Sequence, residues 1–240
     1  MKFTWIGGPS FLLELGPFRV AGDPVLRESF CLREAQVTRL VPVAPFDASG
    51  IDAVLVTSAQ PDHFDPEGVA RCGAGAVLIP ATASLQGATP IAAGGVRTLE
   101  KESASLSITA VPAAREGNGY FLKFESGGRP FTVYITGDVL FSEHTREIQR
   151  GHGYANLLVI HAGAERDGDG ALRSADAMEA MQIIYRMQPN AIAAVHHHTF
   201  SHYSETIAPL VEKAALTIYE KRLRVLREGE SFQKVIGPAE

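Results

Sequence analysis

The chain has 240 residues, 45% hydrophobic and 20% charged, with a net charge of −5 and a pI near 5.9. This much apolar material excludes a mainly disordered chain and suffices for a sizeable core. The acidic balance and scattered lysines and arginines give neither the basic stripe of a nucleic-acid binder nor a polybasic membrane patch, and no run nears the ~20 apolar residues that span a bilayer.

Phe3–Ile6, Ser10–Leu15 and Arg19–Ala21 read as short opening strands. Gly7-Gly8-Pro9 and Glu14 interrupt any signal-type segment there, so a cytoplasmic location is expected. Ala53–Thr57 is almost wholly apolar, as in a strand covered on both faces. Pro66–Arg71 and Thr82–Gly87 are short-helix candidates flanking a strand at Ala76–Ile79. Leu106, Ile108 and Ala110 alternate with polar residues in Ser105–Val111, the pattern of a half-buried strand. Tyr120–Phe124, Phe131–Thr136 and Leu157–Ile160 are further strands, and Ser142–Arg150 is a helix candidate. Ser174 is placed to cap a helix running through Met178, Met181, Ile184 and Tyr185 and ending before Pro189. Its methionines suit packing against a sheet. Ala191–Val195 is another apolar run, and a last helix is expected from Ser204 to about Glu220. Gly117–Gly119 and Gly168–Gly170 read as turns. Without repeats or linkers, residues 1–240 read as one α/β domain with two β-rich halves, each carrying helices outside. Cys31 and Cys72 cannot form a disulfide framework and are expected to be free thiols.

The eight histidines are unevenly placed: His196, His197, His198 and His202 fall within seven residues. Asp62 and His63 follow Ala53–Thr57, Asp138 follows Phe131–Thr136, His161 follows Leu157–Ile160, and His196 follows Ala191–Val195. Four strands thus end in residues able to bind a metal, and a sheet holds such groups rigidly. Aspartate oxygen and histidine nitrogen together suit zinc, iron or manganese. Taken singly, each residue is as well explained as a turn aspartate or a surface histidine.

MKFTWIGGPSFLLEL, VAGDPVL, VLVTSAQPDHFDPE, ITAVPA, YITGD and AVHHHTF, in that order, resemble the metallo-β-lactamase fold hydrolases. Within them the pattern is similar to L-ascorbate-6-phosphate lactonases and N-acyl-phosphatidylethanolamine phospholipase D. The resemblance runs from Lys2 to about Phe200, with 75 residues from His63 to Asp138 and 58 from there to His196. It implies a four-layer αββα sandwich with metals in a cleft at one edge of its two sheets. It also exposes departures. The family's Thr-His-x-His-x-Asp-His stands here as Thr57-Ser58-Ala59-Gln60-Pro61-Asp62-His63. Arg115 takes the place of a further metal histidine, and Gly7-Gly8 that of an early Gly-His. The nitrogen ligands of the first metal site are absent. By resemblance, Asp62, His63 and His196 match the second site and Asp138 the bridging carboxylate.

The resemblance therefore implies one divalent ion, zinc foremost with iron or manganese open, held by Asp62, His63, Asp138 and His196. Asp62 would also orient the attacking water. Arg115 would occupy the vacated site and pair with Asp138 or an anionic substrate; the alternative is a solvent-facing loop residue. Asp23 would orient a ligand by a hydrogen bond. His161, His198 and His202 are reserves, as a replacement ligand or a general acid. Arg33 and Arg39 add a reason to expect an anionic small molecule. No nucleic-acid partner is expected, and oligomeric state stays open. Three readings follow: a single-metal hydrolase of esters, lactones, amides or phosphodiesters; a non-catalytic relative that binds a ligand or partner; and a mononuclear iron or manganese redox protein.

Overall fold

The fold is described from a computed structural model, over residues 1–114 and 117–236. Segments rich in β-branched and aromatic residues, cut by glycine and proline, satisfy their backbone groups by pairing with one another. The first seven-stranded sheet contains β1 (Lys2–Gly7), β2 (Ser10–Leu15), β3 (Phe18–Gly22), β6 (Ala53–Leu55), β7 (Ala76–Pro80), β8 (Thr89–Ile91) and β16 (Ser231–Gln233), in the order β16-β1-β2-β3-β6-β7-β8. Its β16 to β3 portion is antiparallel, and β3-β6-β7-β8 is parallel. The second contains β9 (Val96–Lys101), β10 (Ala104–Pro112), β11 (Asn118–Glu125), β12 (Phe131–Ile135), β13 (Leu157–His161), β14 (Ala191–Val195) and β15 (Leu223–Arg224), in the order β15-β14-β13-β12-β11-β10-β9. It is antiparallel from β9 to β12 and parallel from β12 to β15. A separate hairpin pairs β4 (Ser29–Leu32) with β5 (Ala35–Thr38).

The two sheets bury one shared core. Phe3, Trp5, Phe11, Leu13 and Leu55 from the first pack with Leu106, Tyr120, Leu122, Val133 and Val159 from the second. Burying a side chain of this size contributes about 1.5–3 kcal/mol. Helix α1 (Pro66–Cys72) covers the outer face of the first sheet. Helices α2 (Glu143–His152), α3 (Ala177–Met187) and α4 (Ala208–Ala215) cover the second. The result is the expected αββα layering. Strands β6, β13 and β14, covered on both faces, are buried throughout and apolar except for His161 at the end of β13.

Some local expectations change. Helix α3 is capped by Asp176, whose carboxylate accepts the N–H groups of Met178 and Glu179, and not by Ser174. Ser174 Oγ instead accepts the N–H of Glu165 at 2.9 Å. Met178 and Tyr185 lie on the exposed face of α3, while Met181 and Met187 face the sheet. The last helix is shorter than expected, because Ser204 and Glu205 donate their N–H groups to Gly163. Residues 82–87 form turns rather than a helix. Cys31 and Cys72 are unpaired. Among the described residues no helix is long and apolar enough to cross a membrane.

Candidate metal centre

β6 runs into Asp62 and His63, and β12 into Asp138. His161 is the last residue of β13, and His196 follows β14 directly. The carboxyl ends of parallel strands, where α/β sheets collect functional groups, thus bring the first sheet's residues against the second's. Asp62, His63, His161 and His196 are fully buried, and Asp138 is 8% exposed. Close backbone approach fixes the last turn. A Cβ at Gly163 would overlap the carbonyl oxygen of His196. His196 itself has φ 62°, in the left-handed region, and its N–H is held by the Gly8 carbonyl at 2.7 Å. Non-glycine residues adopt that conformation only where surrounding structure imposes it.

His63 is gripped at both nitrogens. Nδ1 lies 2.9 Å from Asp23 Oδ2, and Nε2 lies 3.1 Å from Asp138 Oδ2. Asp23 in turn accepts the N–H of Thr57 at 2.7 Å and its hydroxyl at 2.5 Å. Asp62 Oδ2 is a hub, 3.6 Å from His63 Nε2, 3.5 Å from His196 Nε2 and 3.2 Å from His202 Nε2. Asp138 Oδ1 lies 3.8 Å from His196 Nδ1 and 3.9 Å from His161 Nδ1. His63 and His196 stack with ring centroids 4.8 Å apart.

Ligand atoms gather in more than one group within 4.8 Å. One is His63, Asp138 and His196; another is Asp62, His196, Glu165 and His202; a third is Asp23, His63 and His161. The third has less to offer an ion, since Asp23 and His63 Nδ1 already hold each other. The four expected ligands therefore lie together, with Asp62 reaching past the first group towards His202, a reserve in the sequence reading, and Glu165, which that reading did not select.

Burial opposes charge on His63, yet Asp138, Asp62 and Asp23 outweigh it and hold the imidazole well above its usual range. Burial likewise opposes the Asp62 and Asp138 carboxylates, but the surrounding histidines hold both below the usual carboxylate range. Burial, followed by His196 and His63, pushes His161 well below the ordinary histidine value. Asp62 Oδ1, Asp138 Oδ1 and both ring nitrogens of His161 and of His196 are buried without a hydrogen-bond partner among the described residues. Each such orphan costs roughly 1–3 kcal/mol. A cation would satisfy several at once, so this donor set fits a divalent ion.

At the positions where the resemblance expected histidines, the structure shows local hydrogen bonds. Ser58 Oγ accepts the N–H of Gln60 at 3.2 Å, and the Gly8 carbonyl accepts Trp5 Nε1–H at 2.9 Å. Arg115 lies outside the described residues. Arg33 pairs with Glu165, and Arg39 spans the carbonyls of Val25 and Arg27 beneath Phe200. Arg33 is thus engaged by a carboxylate, while Arg39 keeps Nη1 without a partner among the described residues. His198 turns to Glu228 at 3.1 Å, and burial, with His198 beside it, pushes His197 down to about 3.

Sequence reasoning missed Glu165 and Tyr203. Glu165 is fully buried, and burial, followed by Asp138 and Asp62, raises its carboxyl above the ordinary value. Tyr203 stacks over both His196 and His202 at 4.4 Å. Glu165 lies in the stretch Ala164-Glu165-Arg166-Asp167, which reads as a solvated loop. Proximity to the His161 strand end was its one available signal.

The same architecture recurs in solved structures. An isothiocyanate hydrolase from Delia radicum gut bacteria is 16% identical with a TM-score of 0.76, covering 98% of this chain and 99% of its own. A possible metal-dependent hydrolase from Veillonella parvula is 16% identical with a TM-score of 0.74, covering 97% and 98% respectively. CmlA, a diiron β-hydroxylase from Streptomyces venezuelae, is 14% identical with a TM-score of 0.68, covering 97% of this chain and 54% of its own. No curated protein sequence matches the chain. The family model described as beta-lactamase superfamily domain matches residues 2–196, most of the sequence, a span that includes Asp62, His63, Asp138 and His196. The chain belongs to the beta-lactamase superfamily.

Proposed function

We propose that this protein is a metal-dependent hydrolase in which Asp62, His63, Asp138 and His196 hold one catalytic divalent ion. Zinc is the first choice, with iron or manganese as alternatives. The observation that carries this reading is the set of buried, unpartnered nitrogen and oxygen atoms facing one another at four strand ends. When bound, the ion supplies Lewis acidity to a water and to a carbonyl or phosphoryl oxygen of the substrate.

The chain's own residues do the positioning. Asp23 accepts a hydrogen bond from Nδ1–H of His63 and so directs Nε2 into the centre. Asp62 keeps Oδ1 free to accept a proton from the attacking water. His161 is neutral near pH 7, so it serves as an N–H donor or proton acceptor rather than as an imidazolium acid. The substrate is a small ester, lactone, amide or phosphodiester. An anionic group on it would be met by Arg115. CmlA, named as a diiron enzyme, keeps iron chemistry as the second reading of the same donor set. A non-catalytic binding module, the alternative raised by Ser58 and Gln60, is what an absence of turnover would leave.

The test is a hydrolysis panel of aryl esters, lactones and phosphodiesters with zinc-, iron- or manganese-loaded protein. At least one class should be turned over, with a 10²-fold or greater loss in His63→Ala and Asp138→Ala. No turnover with any of the three metals contradicts the reading.

A further inference from the structure

Glu165 belongs to neither the strand-end ligands nor the family's lost site, yet it is built like a ligand. Its carboxylate is fully buried. Oε1 is engaged by Arg33, with Arg173 Nε 3.6 Å away. Oε2 has no partner among the described residues. Its backbone is pinned as well: its N–H donates to Ser174 Oγ at 2.9 Å, and its carbonyl accepts from Arg173 N at 2.7 Å. One oxygen is tied down and the other presented, as outer hydrogen bonds orient a metal-binding carboxylate.

Opposite it stands His202, brought in by the loop that follows β14. Its Nε2 is 3.2 Å from Asp62 Oδ2, which is itself 3.5 Å from His196 Nε2. Donors placed about 2.0–2.2 Å from one ion at tetrahedral angles are separated by roughly 3.3–3.6 Å. Asp62, Glu165, His196 and His202 each offer an atom within 4.8 Å of the other three. Asp62 Oδ1, Glu165 Oε2 and His196 Nε2 are buried and unpartnered. Pairing with histidine engages Asp62 Oδ2, which lies 3.2 Å from His202 Nε2, but leaves those three atoms without a partner among the described residues. The arginines reach only Oε1 of Glu165, and Asp62 has no arginine or lysine beside it among the described residues.

We propose that Asp62, Glu165, His196 and His202 form a second divalent-cation site, distinct from the position faced by His63 and Asp138. Two imidazoles and two carboxylates suit zinc, iron(II) or manganese(II). The sites share Asp62 and His196. His196 turns Nε2 towards Asp62 and Nδ1 towards Asp138, so its two nitrogens face different groups. An ion at the outer site would join the loop after β13 to the loop after β14 and offset two buried carboxylates. The proposal rests on the metal-centre reading above, but its own residues Glu165 and His202 are separate from His63 and Asp138, so the two fail separately.

The experiment is metal titration of tag-free, metal-stripped protein with Co²⁺ and with Zn²⁺. It reads equivalents bound per chain and, for Co²⁺, the visible d–d spectrum. Wild type should bind two equivalents. Glu165→Gln and His202→Gln should each lose one equivalent and the corresponding part of the spectrum, while His63→Ala keeps that part. His202→Gln leaves the arginine partners of Glu165 untouched, so it stands if Glu165→Gln fails to fold. A wild type that binds a single equivalent, lost in Glu165→Gln and His202→Gln but retained in His63→Ala, would support the outer site and reject the hydrolase ligand set. Unchanged stoichiometry and spectrum in His202→Gln and in folded Glu165→Gln would overturn the outer site and leave the catalytic reading standing. No metal at all in wild type would overturn both.

Discussion

Both carboxylate oxygens of Asp23 are occupied, by the Thr57 amide and hydroxyl and by His63 Nδ1. This arrangement fixes the ring plane of His63 without touching the centre itself. Asp23→Asn keeps the shape and removes the charge that favours an Nδ1 proton. Metal affinity should fall 10- to 100-fold, measured by competition with a chromogenic chelator, while the melting temperature of metal-free protein changes little. An unchanged affinity would remove Asp23 from the site. At this scale the sequence was informative where chemistry sat at the end of an apolar run. Asp62, His63, Asp138, His161 and His196 each follow a buried strand. Glu165 and Tyr203 were illegible because their burial comes from distant partners, Arg33 in one case and the His196 and His202 rings in the other.

Asp65 shows how an element is held to the site region. Its side chain caps α1 through the Glu67 N–H and also accepts from Leu26 N at 2.9 Å and Arg27 Nη2 at 2.9 Å. Burial opposes the carboxylate, but Arg27 and the Leu26 and Gly68 amides hold its pKa below the ordinary 3.8. A lowered folded-state pKa adds stability that is complete above the unfolded value and is lost as pH falls through the folded one. Asp65→Asn keeps a capping side chain but loses the charged acceptor facing Arg27, and should therefore cost about 1 kcal/mol near neutral pH. The gap to wild type should narrow as pH falls below the ordinary carboxylate range, read from urea denaturation at a series of pH values. A gap that stays constant down to pH 2 would contradict that origin.

Other elements were hard to read for identifiable reasons. The β4–β5 turn puts Arg33 and Glu34 at φ 49° and 68°, where Asn-Gly or Asp-Gly would have signalled a hairpin. β8 carries Pro90 and β9 is largely polar, as edge strands often are. At α3, Ser174 and Asp176 are both good capping residues. Only the tertiary bond from Glu165 to Ser174 separates their roles.

Across the whole molecule, the centre joins two sheets that are otherwise held together by an apolar core. Asp62 and His63 come from the first sheet; Asp138, His161 and His196 come from the second. Metal binding should therefore stabilise the complete sandwich. At free metal near 100 times Kd the gain is about 2.7 kcal/mol, a melting shift of roughly 5–10 °C for a chain of this length. Chelation should reverse that shift in wild type and have no effect on Asp62→Ala, as followed by calorimetry. A chelator-insensitive melt in metal-loaded wild type would sever the centre from the stability of the fold. The layering itself was readable because the covered parallel strands are continuous apolar runs and the half-covered ones alternate. The sharing of His196 between two donor groups was not, since sequence spacing carries no distances.

The most direct measurement is a metal count per chain, by elemental analysis of untagged protein after incubation with zinc, iron(II) or manganese(II) and removal of free ion. The central claim requires at least one tightly held ion per chain in wild type, and none in Asp62→Ala or His196→Ala, because both proposed ligand sets include those two residues. Wild type without metal after that incubation, or variants that retain as much as wild type, would contradict it.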